Sequence, residues 1–162
     1  MALNRARKSI TAVLLAGLSI ALLTTRTYAQ ASAVAVVVNP KNPVSDLKLV
    51  DVRKMFAGEK RSWNGGAPIR LFVRAPGTHE RAVLLKLLNI SEGDYKQYWT
   101  AKVVRGEAQA EPVMLFSNGM QMEAVRLYQA AVALVEIGDV KPGVKVVRVE
   151  GHAPGEPGYP LN

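Results

Sequence analysis

Hydrophobic positions along this chain change period several times, and each change marks an element. Ala33 to Val38 is an unbroken, valine-rich apolar run, which reads as a strand covered on both faces. Asn39-Pro40 and Asn42-Pro43 end it, since proline has no N–H to give a ladder. Leu49, Val52, Met55 and Phe56 then fall at helical spacing, and Gly58 closes that helix. Trp63 to Gly66 is a turn with one large apolar anchor, expected to lie buried against the helix ending at Phe56. Ile69 to Val73 is a second strand, fed at once into Pro76-Gly77-Thr78 and an amphipathic helix through Leu88. Ser91 with Asp94 resembles a capping box. On the helix it opens, Tyr95, Tyr98 and Trp99 share one face, a pattern that suits a core better than a stacking platform. Val113 to Phe116 is a strand and Ser117-Asn118 a helix cap. Met120 to Ala131 is a helix with Met120, Ala124, Leu127, Tyr128 and Ala131 along one side. Val144 to Val149 is a last strand, and the Gly- and Pro-rich tail from Gly151 to Pro160 is extended. Strands alternating with helices predict an α/β layer fold.

Ahead of the first strand the pattern is of another kind. Arg5, Arg7 and Lys8 precede an apolar stretch from Ile10 to Leu23, and Thr27-Tyr28-Ala29 places small residues where a signal peptidase reads. Residues 1–29 are therefore expected to be a Sec-type signal peptide cleaved after Ala29, with Ala31-Ser32-Ala33 as a second, later site. The stretch falls short of the about 20 apolar residues that span a bilayer. With no cysteine after it, a bacterial lipid anchor is not available. The processed chain is expected to be periplasmic or secreted and not membrane-embedded.

Charge changes once the leader is set aside. The formal net charge of +8 includes four leader cations, Arg5, Arg7, Lys8 and Arg26, so residues 30–162 carry +4. Such a mildly basic chain does not call for nucleic acid as a partner, but it favours small anions. Zero cysteines exclude disulfides and thiolate chemistry. His79 and His152 are too few and too scattered for a metal site, and no cofactor is implied. The sequence has no Gly-x-Ser-x-Gly elbow, no His-Glu-x-x-His, no P-loop and no dinucleotide fingerprint, so an enzyme is not expected.

The string VVVNPKNPVSDLKLVDVRKMFAGEKRSWNGGAPIRLFVR resembles the phosphate-type periplasmic substrate-binding proteins of ABC transporters. The shared features are the apolar strand and Asn-Pro segment, Phe56 to Lys60 at a helix end, the Trp63 to Gly66 turn, and a strand ending in Arg74. The closing VKVVRVEG and GYPLN resemble the family's last strand and ending, so residues 34–162 read as one domain of this kind. The resemblance implies a periplasmic-binding-protein-like lobe, a mixed sheet flanked by helices. It also implies binding of phosphate or a similar oxyanion, with an ABC transporter permease or envelope sensor as partner. Its site would be Arg74, then Gly77, Thr78 and His79 at a helix N-terminus, with Ser117 from the next helix start. An arginine fork and free N–H groups at a helix end are what a tetrahedral oxyanion needs. Where the family has Ser-Gly-Thr, this chain has Thr78-His79-Glu80, which sets a side chain in place of a glycine and a carboxylate beside the site.

Each residue also has a plainer role. Thr78 and Ser117 are natural N-caps, Arg74 suits an ion pair, and Arg81 in the first helical turn suits a nearby carboxylate. Two functions stay open: an oxyanion-binding module, or an envelope accessory domain derived from that fold that binds no ligand.

Overall fold

The computed structural model describes residues 32–162, so the leader, residues 1–29, lies outside the described residues. In chain order the strands are β1 (Val34–Val38), β2 (Asp46–Leu47), β3 (Arg70–Arg74), β4 (Val113–Leu115), β5 (Ala131–Glu136) and β6 (Lys145–Val149). The helices are α1 (Leu49–Phe56), α2 (His79–Leu88), α3 (Glu92–Val104) and α4 (Asn118–Leu127).

Every residue of β1 is buried, and its side chains alternate between two cores. Val34, Val36 and Val38 face one, Ala35 and Val37 the other. A strand with no solvent face needs a covering layer on each side. On the first side α1, α2 and α3 supply Val52, Met55, Phe56, Val83, Leu84, Tyr95 and Trp99. On the second, α4 supplies Met122 and Val125. The sheet runs β2-β6-β1-β5-β3-β4. β1 pairs antiparallel with β5 and β6, whereas β5, β3 and β4 are mutually parallel. This is the mixed, helix-flanked sheet the sequence led us to expect.

One helix is shorter than expected. α4 stops at Leu127, and Ala131 opens a strand instead of closing the helix. Leu127 and Tyr128 are exposed, so the helical spacing that seemed to carry α4 to Ala131 does not mark a buried face. Behind it, Ala131 to Val135 is buried on both sides and forms the ladder to β1. The tail is more than extended. Tyr159 donates its hydroxyl to the Val34 carbonyl at 2.8 Å, and the Leu161 carbonyl accepts from Val34 N–H at 2.9 Å. Tyr159 and Leu161 are both buried, so the tail straps the entry of β1.

Trp63 is only partly buried. It packs on the core that holds Phe56, but its Nε1 reaches the Ala130 carbonyl at 3.0 Å, so the indole pins its turn to the start of β5. Gly58, by contrast, is fixed twice. Its φ is +66°, and a Cβ there would lie 2.6 Å from Cη2 of Trp99. Glycine alone gives both the left-handed turn and the room for the indole.

Candidate functional site

The three parallel strands end on one edge of the sheet, with Arg74 closing β3, Leu115 closing β4 and Glu136 closing β5. Helices α2 and α4 begin just beyond the first two. A crevice at the carboxyl ends of parallel strands, beside helix N-termini, is where an open α/β sheet places ligands. All five expected site residues lie along this edge.

Most of their polar atoms are already engaged. Gly77 takes φ +83° in the turn between β3 and α2. Thr78 caps α2: its hydroxyl donates to the Ala75 carbonyl at 2.9 Å and accepts from Arg81 N–H at 3.3 Å. His79 lies with Nε2 2.8 Å from the Ser32 carbonyl, and so faces the residues ahead of β1. Ser117 caps α4 by accepting from Met120 N–H at 3.1 Å. Arg74 donates from Nη1 to the Leu115 carbonyl at 3.3 Å, and its Nε has no hydrogen-bond partner.

At the centre of this ring sits Glu80. One residue inside α2, it turns inward, and it is only 4% exposed. One carboxylate oxygen accepts from the Asn118 amide and, at 3.4 Å, from Glu136 N–H. The other lies 3.6 Å from Arg74 Nε. Asn118 also donates to Asp139 at 2.8 Å. The Glu80, Glu136 and Asp139 carboxylate oxygens lie within 4.8 Å of one another, as a metal's ligands could. Here Asn118 bridges two of them, Glu80 and Asp139, and Arg74 faces Glu80. Gln121, fully buried, anchors the floor: with its amide turned to match its neighbours it accepts from Arg74 N–H at 3.2 Å and donates to the Leu134 carbonyl.

Arg81 belongs elsewhere. Its guanidinium grips Glu92 through two bonds, of 3.0 and 2.7 Å, and stacks 3.6 Å from the Tyr95 ring centroid. Burial works against this charge, but the bonds to Glu92 and the neighbouring Tyr95 outweigh it and raise its pKa. The same bonds hold the Glu92 carboxyl below its ordinary range. This pair ties α2 to α3 and takes no part in the crevice.

The sequence pointed to Glu80 as a carboxylate beside the site. It gave no sign of Asn118, Gln121, Glu136 or Asp139 as its partners, because they come from α4, from an unforeseen strand and from the short helical turn, Ile137–Asp139, that follows it. Two grooves of about 520 and 580 Å³ lie away from this edge, one by α1, α2 and the tail, the other around Trp99 and the segment before β4. Neither is lined by Arg74, Glu80 or Asn118.

A family model described as a PBP superfamily domain matches residues 24–161. The chain belongs to the PBP superfamily. Among solved structures, a phosphate transport receptor of the ABC type from Vibrio cholerae matches at 22% identity and a TM-score of 0.60, over 75% of this chain and 48% of that one. A protein from Clostridium perfringens, assigned to the phosphate ABC transporter substrate-binding proteins and solved with phosphate bound, matches at 20% identity and 0.59, over 74% and 45%. PstS from Borrelia burgdorferi matches at 17% identity and 0.56, over 75% and 49%. These likenesses establish the fold. The chain spans about half the length of each of these structures. No curated protein matches it. Among the described residues, no helix of this PBP-fold domain is long and apolar enough to cross a membrane.

Proposed function

We propose that this chain is a cell-envelope domain of the PBP fold that works by association with a membrane partner, an ABC permease or an envelope sensor, and does not capture free oxyanion. The observation that carries this reading is the buried Glu80 carboxylate facing Arg74 at 3.6 Å. Glu80 supplies an anion to its own cradle. A second anion about 4 Å from a carboxylate is opposed by roughly 4 kcal/mol at an effective dielectric of 20. Glu136 and Asp139 add to that. A hydrogen bond to a charged group returns only about 1.5–3 kcal/mol, so a single N–H group would not repay the repulsion. The reading takes residues 1–29 as a leader removed on export, with the working chain beginning at Gln30.

Phosphate or a similar oxyanion as ligand is the second reading. It is favoured by the Arg74 Nε, which is buried without a hydrogen-bond partner, and by the phosphate bound in the C. perfringens neighbour. It requires Glu80 to leave the crevice. Melting curves of residues 30–162 in phosphate, sulfate and chloride at matched ionic strength separate the two. Ligand at a hundred times its dissociation constant stabilises a fold by about 2.7 kcal/mol. The expected result is no shift beyond chloride. A phosphate shift that Arg74→Ala removes would favour the second reading.

A further inference from the structure

Three carboxylates meet at the carboxyl edge of the sheet, and each arrives from a different element. Glu80 is the second residue of α2, Glu136 closes β5, and Asp139 ends the short helical turn that follows it. One oxygen from each lies within 4.8 Å of the others. Arg74 faces Glu80 at 3.6 Å, but among the described residues neither Glu136 nor Asp139 has an ion-pair partner. Formally, then, three negative charges gather around one positive charge. Carboxylates this close repel one another, and a cation held between them turns the repulsion into attraction.

Asn118 is a separate observation that points the same way. It is the first residue of α4, only 7% exposed, and its Nδ2 bonds both Glu80 and Asp139. Its Oδ1 is buried with no hydrogen-bond partner. Native folds seldom leave a buried carbonyl oxygen unmatched, because its lost hydration is not returned. Oxygen and nitrogen of one amide are about 2.2 Å apart, so Oδ1 stands within about 5 Å of both carboxylate oxygens that Nδ2 touches. A cation is the one partner that this oxygen and the three carboxylates can share.

The donor set says which cation. All four groups offer oxygen, with no imidazole or thiolate among them, and that suits a hard divalent ion. Calcium holds oxygens at about 2.3–2.6 Å in flexible geometry, so opposite ligands stand about 4.6–5.2 Å apart. Magnesium, at about 2.0–2.1 Å and strictly octahedral, would have to draw opposite ligands in to about 4.2 Å. Asp139 is exposed and Glu80 buried, so an ion can enter from the Asp139 side. Glu80 can ligate through the oxygen that meets Asn118 while its other oxygen still faces Arg74. We propose that Glu80, Glu136, Asp139 and the Oδ1 of Asn118 hold one calcium ion, which ties the starts of α2 and α4 to the end of β5. The site requires neither a membrane partner nor an oxyanion, so it stands apart from both readings of the crevice.

The test is a calcium chloride titration of residues 30–162, first freed of metal with a chelator, with sodium chloride at matched ionic strength as the control. The backbone amides of residues 80, 118, 136 and 139 should shift saturably, with a dissociation constant of about 0.1–1 mM, the weak end of protein calcium sites. Magnesium should bind about tenfold more weakly or not at all. Asp139→Asn removes an exposed ligand without disturbing the core. It should weaken calcium about tenfold with an unchanged circular dichroism spectrum. Glu123→Gln, which removes an exposed carboxylate that pairs with Arg126, should leave the affinity as it was. Asn118→Asp adds a fourth negative ligand and should bind calcium more tightly than the parent. Shifts no larger than in sodium chloride would overturn the inference. So would equal calcium affinity in Asp139→Asn and the parent, or magnesium bound as tightly as calcium.

Discussion

The carboxylate of Glu80 faces the guanidinium of Arg74 across 3.6 Å, and their side chains are 4% and 12% exposed. The pair closes on itself a crevice whose position in the fold is that of a ligand site. Burying two charges gains little net stability, but removing one of them leaves the other desolvated and unpaired.

That asymmetry sets the first expectation. Glu80→Ala should lower the unfolding free energy by about 3–5 kcal/mol, the usual cost of breaking a buried pair. Replacing Arg74 and Glu80 together with apolar residues should cost clearly less than the sum of the single changes. Urea denaturation of the two single variants and the double variant measures both. A Glu80→Ala protein as stable as the parent would show that the carboxylate is not held where it is described.

Gly58 offers a purely steric test. Gly58→Ala would strain a left-handed backbone by about 1–2 kcal/mol. It would also push its new methyl toward Trp99, whose ring lies 2.6 Å from the Cβ position. The expected outcome is a loss of more than about 2 kcal/mol in urea denaturation, with a change in Trp99 fluorescence. An unchanged midpoint and spectrum would place the indole elsewhere.

Two of the four tyrosines of residues 30–162, Tyr95 and Tyr159, should resist ionisation while the chain is folded. Burial pushes the Tyr95 hydroxyl up to about 12, only partly offset by Arg81, and burial pushes Tyr159 higher still. Both are neutral near pH 7 whether folded or not, so neither affects stability there. Above pH 10 the unfolded phenols ionise while the folded ones stay protonated. For Tyr95, stability therefore falls from pH 10 to about 12, by about 1.4 kcal/mol for each pH unit. Absorbance at the phenolate band should show Tyr95 and Tyr159 ionising only as the fold is lost. Ionisation of Tyr95 and Tyr159 in the ordinary phenol range of a folded chain would contradict the burial.

Local signals in the sequence were enough for most of the fold. The β1 valines, the α1 spacing, the Thr78, Ser91 and Ser117 caps and the Tyr95–Trp99 stripe each depend on neighbours a few residues away, and each stands in the structure as read. β5 was hidden because Leu127 and Tyr128 extend the helical spacing of α4 up to Ala131, although both face solvent. Trp63 was expected to be buried, but its main fixed contact is the Ala130 carbonyl, 67 residues on. The crevice was half legible. Arg74 and the α2 start could be named from their order along the chain. The inward turn of Glu80 depends on Asn118 and Glu136, 38 and 56 residues further on, and no local pattern records such a partnership.

The most direct measurement is a phosphate titration of residues 30–162 followed through the backbone amides of residues 78–81, in the parent and in Glu80→Gln. If Glu80 occupies the cradle, the parent amides should move no more than in chloride at the same ionic strength. Glu80→Gln, with Arg74 released, should then show saturable shifts that Arg74→Ala abolishes. Saturable shifts in the parent, as tight as those in Glu80→Gln and lost in Arg74→Ala, would mean that the Glu80 carboxylate yields the cradle to the anion, and would contradict that occupancy.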